Sequence, residues 1–144
     1  MLSDLNRLDS TRTVLRIVYG LVPIVAGLDK FFNILTTWTQ YLNPTMARFL
    51  PFSAPTFMHI VGVIEIIAGV IVLSRFTTLG AYIVSIWLAL IALSLIASGH
   101  YLDVAVRDIV MAVGAYTLGV LNSALERGRL GESLRGKERL RASA

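Results

Sequence analysis

The chain has 144 residues, of which 56% are hydrophobic and 15% are charged, and its formal net charge is +4. A soluble domain is about 45–50% apolar and about 25% charged, so this composition excludes an ordinary soluble domain. The chain contains no cysteine, which excludes disulfide exchange, thiolate metal sites and cysteine-ligated iron–sulfur clusters.

The apolar residues fall into four blocks, and each block is close to the ~20 residues that a helix needs to cross a bilayer. We therefore predict an all-α membrane protein with a single domain over residues 1–123 and a basic tail over 124–144. The predicted spans are residues 13–33, 56–74, 78–98 and 101–122. Short links join the second span to the third and the third to the fourth, which favours an antiparallel four-helix bundle.

The first span ends in the sequence AGLDKFF and leads into a connection over residues 32–55. This connection contains Trp38, Tyr41 and three of the four prolines. Aromatic residues concentrate at membrane–water interfaces. We predict that the connection forms an external interfacial lid between the first two helices, with a short amphipathic helix in it.

The positive charges are distributed unevenly along the chain. Six Lys and Arg residues follow residue 123, whereas the connection between the first two spans has only Arg48. Because Lys and Arg concentrate on the cytoplasmic side, we place both termini and the link that holds Arg75 in the cytoplasm. The net charge is thus explained as a topology signal, and nucleic-acid binding is not expected.

Apart from Arg16 and Asp103 near the span ends, five charged residues lie within the predicted spans. They are Asp29, Lys30, Glu65, Arg107 and Asp108. At 1.5 Å per residue, Glu65 lies near the middle of its span and the others lie nearer the external surface. Charged side chains inside a bilayer are costly and are functional by default. The alternative interpretation is that they form ion pairs that only hold the helices together.

The helical repeat predicts which of these residues face each other. Small residues allow membrane helices to approach closely, so we predict that the first two helices pack through glycines while Lys30 reaches Glu65. These glycines are Gly20, Gly27, Gly62 and Gly69. Asp29 points away from this face, and Arg107 is its predicted partner. Arg107 is also spaced to form an i,i+4 pair with Asp103.

His59 and His100 lie near the predicted external surface on different helices. Two such histidines could ligate a haem, but we favour interfacial histidines that bind water or headgroups, and we predict no metal site. Trp38, Tyr41 and Trp87 could line a quinone or lipid site, with anchoring at the membrane interface as the alternative.

Three segments resemble the DoxX and DoxX-like family of small four-helix membrane proteins. They are RIVYGLVPIVAGLDKFF (16–32), HIVGVIEIIAGVIVL (59–73) and YLDVAVRDIVMAVGAYTL (101–118). The resemblance covers about residues 12–122. Three elements of the family pattern occur here in the same order. The first is the glycine–lysine pair Gly27 and Lys30, the second is the set Gly62, Glu65 and Gly69, and the third is Asp108.

The resemblance implies a multi-pass protein of a bacterial or archaeal plasma membrane. The name-giving members of the family are similar to the small subunit of a thiosulfate:quinone oxidoreductase. Other members are associated with membrane oxidoreductase complexes, and eukaryotic relatives act as assembly chaperones. Besides the lipid bilayer, the resemblance therefore implies other membrane subunits or further copies of the chain as partners.

Three hypotheses follow for the function. The leading one is a membrane subunit of a quinone-linked oxidoreductase complex, in which Glu65 and Asp108 exchange protons while Lys30 and Arg107 bind the quinone. Further candidates for ligand binding are Asp29, His59 and His100. The first alternative is a non-enzymatic scaffold or assembly factor whose charges are structural. The second is an oligomeric transporter of a small solute or protons, although the sequence shows no inverted repeat.

Overall fold

The computed structural model describes residues 2–142, with side chains described from residue 6 onward. This part of the chain contains five α-helices and no strand, which confirms the all-α prediction. The helices are α1 (Leu2–Phe32), α2 (Pro44–Phe49), α3 (Ala54–Leu73), α4 (Thr77–Ser98) and α5 (Leu102–Ala142). A short 3₁₀-helix, Trp38–Tyr41, precedes α2.

Two helices extend well beyond the predicted spans. α1 begins at Leu2 rather than near residue 13, and α5 continues to Ala142 without a break near residue 123. Hydropathy detects the part of a helix that suits lipid, whereas residues such as Leu, Arg and Glu favour a helix in water as well. The first helix therefore starts earlier than predicted, whereas the division into residues 1–123 and a tail over 124–144 stays a prediction.

Three helices in the described part of the chain are long and apolar enough to cross a membrane, namely α3, α4 and α5. α1 is not among them, since Arg16, Asp29 and Lys30 all lie within its most apolar stretch. The membrane character of the fold thus rests on three helices, and the span predicted at residues 13–33 in α1 stays a prediction.

The long helices pack as two close pairs, α1 with α3 and α4 with α5. A methyl group built on Gly27 of α1 would lie 2.5 Å from the carbonyl oxygen of Gly62 in α3. Gly69 lies against the carbonyl oxygen of Gly20 in the same way. These contacts place the four glycines where α1 and α3 approach each other.

The two helix pairs meet at the end of the bundle that contains the turn between α3 and α4. Arg12 of α1 donates a hydrogen bond to the side chain of Asn122 in α5. The buried Asn122 amide donates in turn to Thr78 of α4 (2.8 Å) and to Glu126 (2.9 Å). Close contacts of α1 and α3 with α4 and α5 are therefore concentrated at this end, and a cavity lies nearer the opposite end.

Arg16 of α1 binds the last carbonyl groups of α3. Its guanidinium donates to the oxygens of Val72 (3.2 Å), Leu73 and Ser74 (2.9 Å), at the helix end where carbonyls lack intrahelical partners. Replacing Arg16 with Leu should lower the free energy of unfolding by about 1–2 kcal/mol, because a cation at a helix C-terminus is lost. Denaturant unfolding in detergent micelles measures this change.

Arg16→Lys is the matched control for this prediction. It keeps the charge but loses the planar fork that reaches several oxygens at once, so its stability should fall between those of Arg16→Leu and the original chain. Equal stability of Arg16→Leu and the original chain would contradict a role for Arg16 in holding α3.

Candidate functional site

A cavity of about 600 Å³ lies between the two helix pairs. Ligand sites in proteins have about 300–1,000 Å³, so this cavity is large enough for a small organic molecule. Its wall is mainly apolar, with side chains from α1, α3, α4 and α5 and from the connection between α1 and α3. Four of the five internal charged residues line it, namely Lys30, Glu65, Arg107 and Asp108.

Lys30 and Glu65 form a buried ion pair at the cavity wall. The distance from Lys30 Nζ to Glu65 Oε2 is 2.5 Å, and the two side chains are only 4% and 9% exposed. This pair connects α1 to α3 beside the close contact of Gly27 and Gly62, which confirms the predicted partnership. The glycines allow the helices to approach closely enough for the two side chains to meet.

An indole flanks each member of this pair. Lys30 Nζ lies 3.6 Å from the ring centroid of Trp38, a cation–π contact. Trp87 Nε1 of α4 donates to Glu65 Oε1 at 3.5 Å. Both tryptophans line the cavity, so the ion pair lies between two aromatic side chains of different elements.

Arg107 and Asp108 form a second ion pair on α5. Arg107 Nε and one of its terminal nitrogens each lie 3.3 Å from Asp108 Oδ1. The Arg107 side chain is 63% exposed, whereas that of Asp108 is 7% exposed. Arg107 thus lies where the cavity meets the outer surface of the bundle. The sequence predicts a pair with Asp103, whereas the structure shows Arg107 paired with Asp108.

The predicted partnership of Asp29 with Arg107 is wrong. The Asp29 carboxylate accepts hydrogen bonds from Trp38 Nε1 (2.7 Å) and from the backbone amides of Ile34 (2.9 Å) and Leu35 (3.1 Å). It is buried and lies outside the cavity. The chain folds back after α1, and this segment supplies local N–H donors. Because these donors satisfy the carboxylate, it needs no partner on α5.

The two histidines lie apart from the cavity. His59 stacks on Phe31 with ring centroids 4.8 Å apart, and His100 Nδ1 lies 2.7 Å from the carbonyl oxygen of Ser98. Neither of them lines the cavity. In the part of the chain that the structure describes, no three His, Asp or Glu side chains are grouped to hold a metal ion.

Sequence reasoning named Trp38, Tyr41 and Trp87 as possible lining residues, and all three line the cavity. It missed Tyr19 and Met111, which also contribute to the wall. It also missed the contact of Trp38 with Lys30. Tyr19 and Met111 resemble ordinary apolar positions of their helices, so no local pattern distinguishes them.

The arrangement combines an apolar chamber with hydrogen-bond donors and ionisable oxygens. Lys30 has three N–H donors, and Glu65 and Asp108 have carboxylate oxygens that can take up or release a proton. The cavity charges sum to zero, since two cations face two anions. Such a site suits an uncharged ligand that is mostly apolar and has polar atoms at one end.

Apolar helices around a mainly apolar cavity that contains buried charged residues are typical of a small helical membrane protein. The family model of DoxX matches residues 11–98, which is more than half of the chain. The chain belongs to the DoxX family. The matched segment contains Lys30 and Glu65 and ends before Arg107 and Asp108. Comparisons with curated proteins and with solved structures found no match.

Proposed function

We propose that this chain is a membrane subunit of a quinone-linked oxidoreductase complex and that the quinone headgroup binds beside Lys30 and Glu65. The observation that carries the proposal is a cavity of about 600 Å³ whose apolar wall holds a buried ion pair flanked by two indoles. A quinone has matching chemistry: a flat apolar ring, two carbonyl oxygens that accept hydrogen bonds, and a lipid-soluble tail. The resemblance to quinone oxidoreductase subunits supports the same assignment.

In this proposal each charged residue has a separate task. Lys30 donates one hydrogen bond to Glu65 and offers another donor to a quinone carbonyl oxygen. Glu65 and Asp108 would each take up a proton from water and pass it to the quinone, because the two-electron reduction of a quinone to a quinol takes up two protons. The electrons come from a redox-active partner subunit. Arg107 lies at the opening of the cavity, where it can bind the headgroup as it enters.

We propose further that α1 is a fourth span in the plasma membrane, with both termini in the cytoplasm and the connection between α1 and α3 outside as a lid. The support is that α1 packs along α3 through glycines and that three of its charges have partners within the bundle. Arg16 binds carbonyls of α3, Lys30 binds Glu65, and Asp29 binds the connection. Labelling of single cysteines introduced into this cysteine-free chain tests the topology.

Replacing Glu65 with Gln should abolish quinone turnover and leave the helices intact. Gln has nearly the same size and can accept a hydrogen bond from Lys30, but it cannot exchange a proton. The measurement is quinone reduction by membranes in which the variant is the only copy of the protein. Glu132→Gln, on an exposed part of α5, is the matched control and should keep full turnover. Full turnover by Glu65→Gln would contradict the proton role.

A second candidate function is a scaffold or assembly factor that performs no chemistry. The supporting observation is that, over the described residues, no buried side-chain nitrogen or oxygen lacks a hydrogen-bond partner. The charges are therefore satisfied without a ligand. Extraction from native membranes in mild detergent, native mass spectrometry and quinone analysis distinguish the two functions. Retained quinone or a bound dehydrogenase supports the redox subunit, and a quinone-free complex with a client protein supports the scaffold.

A further inference from the structure

The Asp29 carboxylate shapes the segment that follows α1. Its hydrogen-bond donors come from the next nine residues and include the amides of Ile34 and Leu35 and the indole of Trp38. Asp29 itself lies outside the cavity. Its contact with the proposed site is therefore indirect and runs through Trp38.

Trp38 covers the cation of the proposed site. Its ring centroid lies 3.6 Å from Lys30 Nζ, whose other contact is the 2.5 Å ion pair with Glu65. Because Trp38 also lines the cavity, a headgroup that approaches Lys30 from the side of the connection meets this ring first. The position of one indole thus decides how accessible Lys30 is.

The connection is attached to the second helix pair at its other end. Asn43 donates from its side-chain amide to the carbonyl oxygen of Ser94 in α4 (3.2 Å). The rings of Tyr41 and Tyr101 meet edge to face, with centroids 4.8 Å apart. The segment from Asn33 to Asn43 therefore joins α1 to α4 and to the turn before α5, at the end of the cavity away from the α3–α4 turn.

We propose that Asp29 is a positioning residue that holds Trp38 as a roof over Lys30, so that release of the indole from Asp29 opens the cavity to its ligand. The identity of that ligand as a quinone rests on the proposed function, whereas the control of access does not. This role replaces the direct ligand contact predicted for Asp29 from the sequence.

The absence of cysteine from the chain allows a test that needs no ligand. Met58 is buried and lines the cavity, so Met58→Cys serves as a reporter whose reaction with a small maleimide reports access. Asp29→Asn and Trp38→Phe should each accelerate this reaction about tenfold, because Asn lacks the charge that strengthens the bond to the indole and Phe lacks the N–H donor. Trp38→Phe keeps an aromatic ring but loses the N–H that binds Asp29.

The double variant Asp29→Asn/Trp38→Phe decides whether the two residues act together. If Asp29 acts through Trp38, the double variant should react no faster than Trp38→Phe alone, since Phe already removes the bond that Asp29→Asn weakens. An unchanged rate in Asp29→Asn, or effects that multiply in the double variant, would overturn the proposal. Should Asp29→Asn fail to fold, an unchanged rate in Trp38→Phe overturns it equally.

Two controls separate this proposal from the proposed function. Ser133→Cys, on an exposed part of α5, should react at the same rate in every background. A short-chain alkyl benzoquinone should bind faster to each of these variants than to Met58→Cys alone, because release of the indole opens the cavity. If the original chain binds no benzoquinone but the labelling rates follow the expected pattern, the roof is supported and the quinone site is overturned.

Discussion

Replacing Lys30 with Met should lower the free energy of unfolding by about 3–5 kcal/mol, because it leaves the Glu65 carboxylate buried without its cation. The ion pair has a 2.5 Å contact and both side chains are almost fully shielded, so solvent cannot replace the lost partner. The cation–π contact with Trp38 is lost as well. Unfolding of the purified protein by denaturant in detergent micelles measures the change, and quinone retained after purification should fall with it.

The double variant Lys30→Met/Glu65→Met is the control that separates stability from binding. Exchange of both members of a buried ion pair for apolar residues is often nearly neutral, so stability should return close to that of the original chain. Quinone should still be absent from the double variant if the pair binds the headgroup. A stable double variant that retains quinone would contradict the proposed site and favour the scaffold. Equal loss of stability in the single and double variants would contradict the pairing itself.

Replacing Gly27 with Ala should destabilise the protein by about 1–3 kcal/mol through overpacking. The added methyl group would lie 2.5 Å from the Gly62 carbonyl oxygen and 2.9 Å from the Ile66 side chain. Backbone atoms of α3 cannot rotate away, so the two helices must separate. That separation also lengthens the contact between Lys30 and Glu65, and quinone binding should weaken in parallel with stability.

Gly128→Ala provides the matched control on α5, where an added methyl group would meet no atom within 4 Å. Ala favours a helix over Gly by up to about 1 kcal/mol, so this variant should be as stable as the original chain or slightly more stable. Gly27→Ala should lower stability whereas Gly128→Ala should not, and this difference separates the effect of helix contact from the effect of helix propensity. A neutral Gly27→Ala would show that α1 and α3 are not in close contact.

The agreement between sequence and structure is closest where one helix face meets another. The helical repeat and the small residues predict that α1 and α3 meet at Lys30, Gly27, Glu65 and Gly62, and the structure brings these residues together. The match of the DoxX family to residues 11–98 covers this part of the chain. Sequence and structure disagree at Asp29. Its hydrogen-bond donors come from the irregular segment after α1, and a helical repeat does not predict the path of such a segment.

The amino-acid sequence by itself determined the all-α class, the apolar helices, the glycine contact of α1 with α3 and the ion pair of Lys30 with Glu65. Each of these follows from composition or from a fixed rise and rotation per residue. Only the tertiary structure decided that Trp38 covers Lys30, that Asp29 binds the connection instead of Arg107, and that a cavity separates the two helix pairs. These features depend on the path of an irregular segment and on distances between elements far apart in the chain, which local periodicity does not specify.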